Sequence, residues 1–239
     1  MKKGIIITVL ALITGSFCSH TLLAQNFYKE KISRNQYLQG GLGLGTMYAD
    51  NYGGIRKFNV KFGPTLSFAY GRKLHNNIDL RGNFGFQNMR SQDQDYFNTQ
   101  VIDSWQENGQ AVGSKNNMLF LDLMPTIYVF GSENHTSRKK VNIYTGTGLG
   151  LLLNFNEETR LGSNGSQTSN HTHLVPYIPI RGGISYKLNI YTDISLEGTL
   201  MMAFSDKLDG NIGFNRFNDR PLTGQIIFRR YLNPIKAVD

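Results

Sequence analysis

His171 and His173 stand close to hydroxyls and carboxylates, with Glu157, Glu158, Ser166 and Ser169 a few positions upstream. Serine, histidine and a carboxylate are the parts of a nucleophilic hydrolase. Two histidines can also begin a metal site, but no further ligand cluster accompanies them. Asp93, Asp95, Asp103 and Glu107 make a second group, and their spacing fits no calcium loop. The run Gly40–Gly45 resembles a phosphate cradle but lacks the lysine and the following helix such a cradle needs. None of these groups outweighs its plainer reading as solvated loop or strand glycine. The expectation is therefore a non-enzymatic chain with no metal and no cofactor.

The elements that would carry these residues are more telling. From Phe58 to Leu74 the even positions are Phe58, Val60, Phe62, Pro64, Leu66, Phe68, Tyr70, Arg72 and Leu74. The odd positions are Asn59, Lys61, Gly63, Thr65, Ser67, Ala69, Gly71 and Lys73. A period of two puts these sets on opposite faces of a β-strand. Ordinary strands run about 5–6 residues, so this length suits a membrane-spanning strand. The pattern recurs at Tyr37–Tyr48, Ile78–Arg90, Asn117–Phe130, Val141–Phe155, His173–Leu188, Ile190–Phe204 and Leu222–Leu232. In lipid a sheet must close on itself. The fold predicted is all-β: an eight-stranded antiparallel transmembrane up-and-down β-barrel over residues 37–232.

Connections after the second and sixth strands are very short. The polar stretches Ser91–Lys115, Asn156–Thr172 and Ser205–Arg220 read as long loops. Short turns on one side and long loops on the other are the asymmetry of outer-membrane barrels. Lys2, Lys3 and the apolar Ile5–Ile13 form a secretory signal over residues 1–24, ending at Ala24. A short periplasmic segment, 25–36, would precede the barrel, and a tail, 233–239, would follow it. Cys18 is the only cysteine, so the mature chain has none and forms no disulfide. Loss of Lys2 and Lys3 lowers the net charge from +8 to +6. For an exported chain that charge points to outer-membrane lipid and lipopolysaccharide as partners, not to nucleic acid.

If the apolar faces meet lipid, the lumen receives Lys61, Lys73, Asp79, Arg81, Asp122, Arg181, Lys187, Asp193, Glu197 and Arg229. Eight strands enclose a space just filled by side chains, where charges of both signs can pair. A narrow ion path or proton relay is the alternative use of such a lumen. Tyr48, Phe58, Tyr70, Phe155, Tyr186, Phe204 and Tyr231 read as interfacial girdles. Tyr96, Phe97, Trp105, Phe214 and Phe217 are the candidates for contact surfaces on the outer loops.

The mature chain resembles the small outer-membrane β-barrel proteins of Bacteroidota, within the OmpA/OmpX-like superfamily. The signal ending Leu22-Leu23-Ala24-Gln25, the hairpin Gly63–Phe86, the Gly-x-Gly-x-Gly strands and Phe228–Leu232 carry that resemblance. It implies residence in the outer membrane, insertion by the outer-membrane assembly machinery, and a structural or binding role. A place as accessory subunit of an envelope or secretion complex is a further implication. Some similar barrels deacylate lipid A, using a His followed two residues later by Ser; His171 is followed by Thr172 and His173 instead.

Overall fold

The computed structural model describes residues 36–52, 60–92, 98–133, 135–162, 165–211 and 218–232. The expected signal and tail lie outside them, as do Phe58, Tyr96, Phe97, Phe214 and Phe217. In chain order the elements are β1 (Gln36–Tyr48), β2 (Gly63–His75), β3 (Ile78–Arg90), α1 (Thr99–Glu107) and β4 (Ala111–Tyr128). They continue as β5 (Val141–Thr147), β6 (Leu149–Gly162), β7 (Gly165–Lys187), β8 (Thr192–Ala203) and β9 (Arg220–Tyr231).

β5 and β6 are two parts of one strand position. Both pair with β4 on one side and β7 on the other, and the register runs unshifted past Gly148, from Thr126↔Gly146 to Leu123↔Leu149. β3 pairs with β4 and β1 with β9, which closes a ring of eight antiparallel positions.

Alternation decides the facing. Leu196 is 66% exposed while Glu197 beside it is 3% exposed. Phe68, Leu121, Leu123, Ile143, Leu174, Ile184, Ile226 and Phe228 are likewise exposed. Such a belt far exceeds the apolar patches that water-soluble proteins show. It suits hydrocarbon, with backbone polar groups consumed in the ladders.

Four expectations need correction. β2 starts at Gly63, because its ladder to β1 ends at Gly45↔Gly63; Val60–Phe62 keep the alternation but have no partner strand. Asn156–Thr172 is not a loop. β6 and β7 continue through it as a paired hairpin, Asn156↔His171 to Gly162↔Gly165. Its alternation vanishes because both faces there are largely polar, above the last exposed apolar residues, Phe155 and Leu174. Ser91–Lys115 contains α1 and the start of β4. Asn98 caps α1, its side chain accepting from the Gln100 amide, and Trp105 is the buried residue that pins the helix down. Tyr231 is no girdle residue; it faces the lumen with Arg229.

Candidate functional site

The lumen is packed in layers. At its middle, Arg81 on β3 reaches across to Glu197 on β8, with Nη1 2.6 Å from Oε2. The Tyr144 hydroxyl donates to the same oxygen at 2.9 Å. Arg181 on β7 donates to Asp122 Oδ2 at 2.6 Å. That carboxylate also accepts from Tyr177 and Asn83, each at 2.6 Å. Buried ions of this kind are stable only when their lone pairs and protons are used, and Asp122 meets that condition. Two rings lie in notches left by glycine. A Cβ at Gly71 would strike the Tyr37 ring, and one at Gly150 would meet Tyr177 Cε1 at 2.5 Å.

Toward the short-turn end, the Arg229 guanidinium stacks on Tyr37 at 4.6 Å and also faces Tyr128 and Tyr144. The Gln39 amide, with its oxygen toward Arg229, accepts from Nε and Nη2 at 2.9 Å each. Asp79 lies beside Arg229, Lys73, Tyr37 and Tyr128. The connection between β4 and β5 folds into this mouth. Arg138 grips Asp193 (Nη2 to Oδ1, 2.5 Å) and donates to the carbonyls of Asn189 and Ile190. It also lies 4.4 Å above the Tyr231 ring, on which His135 stacks at 5.4 Å. Burial and the Arg138 cation hold the His135 imidazole below its usual range. A cavity of about 30 Å³ remains, room for about one water.

Toward the long-loop end the filling changes character. Met47, Tyr52, Met89, Met118, Phe120, Leu152, Met201 and Leu208 form an apolar cluster inside the ring. Above it a polar cap closes the mouth. Asp209 accepts from the amides of Asp50 and Asn211, each at 2.9 Å. Asp219 accepts from the Leu208 amide at 2.7 Å, and Asn211 exchanges two hydrogen bonds with Ala111. Burial raises the pKa of both carboxyls; the neighbouring Asp209 raises Asp219 further.

Of the ten lumen residues expected, Asp79, Arg81, Asp122, Arg181, Asp193, Glu197 and Arg229 are buried in this interior. Lys73 and Lys187 are half-buried at the short-turn mouth, donating to Ser132 Oγ and the Thr136 carbonyl. Lys61 is a correction: it precedes β2 and lines an outer cleft at the long-loop end. Trp105 is another, being 2% exposed and therefore no contact residue on the loop surface. Arg138 had no strand pattern to announce it. The tyrosines at the heart of the network carried only their inward parity.

The early chemical candidates do not assemble. His171 and His173 stack 6.2 Å apart, and Glu158 lies 3.8 Å from His171. Glu158 is already held by Asn156 and Arg160. No hydrogen bond joins Ser166 or Ser169 to either histidine among the described residues, and no three-ligand metal group forms there. Asp103 and Glu107 share an exposed face of α1. No described helix is long and apolar enough to cross a membrane.

A closed ring of eight antiparallel strands, apolar outside and ionic within, defines an outer-membrane β-barrel. No protein-family model matches the chain, and no curated protein matches it significantly. Solved outer-membrane barrels do. Neisserial surface protein A aligns with a TM-score of 0.50 at 11% identity, covering 82% of this chain and 96% of its own. The Pseudomonas aeruginosa outer membrane protein OprG aligns with a TM-score of 0.51 at 10% identity, covering 84% and 97%. At such identities the likeness is one of fold alone.

Proposed function

We propose that this chain is a non-conducting, non-enzymatic barrel that works as a structural or binding protein through its long-loop end. In this reading the short turns face the periplasm and the long loops face outward. The observation that carries it is the filled lumen: the Arg138 plug, the Arg81–Glu197 layer, the methionine cluster and the Asp209 cap succeed one another along the axis. Whatever the protein recognises must then meet its outer surface, either a soluble ligand at the loops or a partner barrel in an envelope complex.

Reconstitution in a planar bilayer tests the closed lumen. Wild-type protein should give no discrete current steps. Ion-selective single-channel steps in the wild type would overturn the reading and favour a narrow pore. Affinity purification from native membranes in mild detergent then separates a solitary barrel from a subunit.

A further inference from the structure

A cationic cleft on the outer wall lies directly above the lipid-facing belt. The register across β3, β4 and β6 stacks three outward rows. The lowest is Phe86↔Leu119↔Leu153, the next Asn88↔Asn117↔Phe155, and the highest Arg90↔Lys115↔Glu157. Apolar side chains thus give way to an amide pair, Asn88 donating to Asn117 at 2.6 Å, and then to charge. Each row is two residues above the last. With strands tilted roughly 40°, the charged row stands on the order of 10 Å above Phe86 along the membrane normal. Phe86 is the uppermost of the exposed apolar residues on β3, so the charged row falls at the level of lipid headgroups.

A cavity of about 520 Å³ opens at this row, with Lys61, Arg90, Lys115 and Glu157 in its wall. Lys115 pairs only loosely with Glu157, at 3.8 Å with both side chains about half exposed (42% and 50%). The Arg90 side chain makes no ion pair among the described residues. Among the described wall residues, Arg90 and Lys115 face the single carboxylate of Glu157, a balance that favours a ligand bearing negative charge. An isolated anion would have no use for the apolar rows beneath.

We infer that this cleft binds the phosphorylated sugar headgroup of an outer-leaflet lipid. The phosphate lies between Arg90 and Lys115, and the acyl chains run down over Phe155, Leu153, Leu119 and Phe86. Glu157 accepts from a sugar hydroxyl. The site rests on the long-loop end facing outward and is independent of whether the lumen conducts.

The test is native mass spectrometry of the detergent-solubilised barrel with added monophosphoryl lipid A. Wild type should retain one lipid, and raised salt should displace it. The double variant R90Q/K115Q should lose affinity by about 30-fold, from about 1 kcal/mol for each cation near an anionic headgroup. Lys139→Gln, at the opposite end, should leave retention unchanged. Heat-modifiable gel migration confirms that each variant is folded. Equal retention by wild type and the double variant would overturn the site, as would equal loss with Lys139→Gln. Displacement of the lipid by millimolar inorganic phosphate would also overturn it, making the cleft a free-anion site. A failure here beside a silent bilayer would refute the lipid site and leave the closed barrel standing.

Discussion

The two halves of the lumen are filled by opposite means. From the middle to the short turns, the space is occupied by guanidinium, carboxylate and phenol groups in fixed partnerships, such as Arg81 with Glu197 and Arg138 with Asp193. Near the long loops it is occupied by Met47, Met89, Met118 and Met201, packed with Tyr52 and Leu208. Directional bonds give one half a unique arrangement; adaptable thioethers let the other conform to whatever the loops above it do. The difference suits a barrel with a constant base and a loop surface free to diversify.

The sharpest way to break this contrast is to remove one partner from each half. Glu197→Ala removes the carboxylate oxygen to which both Arg81 and the Tyr144 hydroxyl donate. It should cost about 3–5 kcal/mol in urea unfolding from phospholipid vesicles, and adding Arg81→Met should recover much of that loss. Met118→Leu in the apolar half should cost less than about 1.5 kcal/mol, because volume is conserved. Equal costs for the two would erase the distinction.

A smaller effect separates the cap from both. Buried Asp209 and Asp219 bind protons more tightly folded than unfolded. Their contribution is complete below the ordinary carboxylate pKa of about 4 and is lost as pH rises through the elevated folded values. Protection factors of the Leu208 and Asp209 amides should therefore fall between about pH 5 and pH 9. Asp219→Asn should flatten that fall. A pH-independent profile in the wild type would show that the cap does not titrate.

Strand parity made the barrel legible, because lipid outside and ions inside write opposite residue types at alternate positions. It fails where both faces are polar, as in the upper β6–β7 hairpin, whose sequence reads as a loop. It also outweighs position along the strand. Tyr231 shares the inward parity of Ile227 and Arg229, yet its place near a strand end suggested a girdle. The partners of each lumen charge were not legible at all. Which residues meet across the axis depends on the stagger of the whole ring, which no single strand encodes. Trp105 shows the limit for loops: an aromatic in a polar stretch reads alike whether it faces a partner or anchors its own helix.

Arg81 and Glu197 belong to β3 and β8, with three strand positions between them whichever way round the wall one travels. Their bridge therefore spans a diameter, and it measures the ring. With fewer or more strands, the two would no longer stand opposite. With a slip of two residues in one ladder, parity would survive, yet a charge would move by roughly 7 Å and lose its counterpart. Hydrophobic matching to the bilayer tolerates such a slip; this pair does not. It acts as an internal gauge that lets the chain distinguish the correctly closed cylinder from its near neighbours.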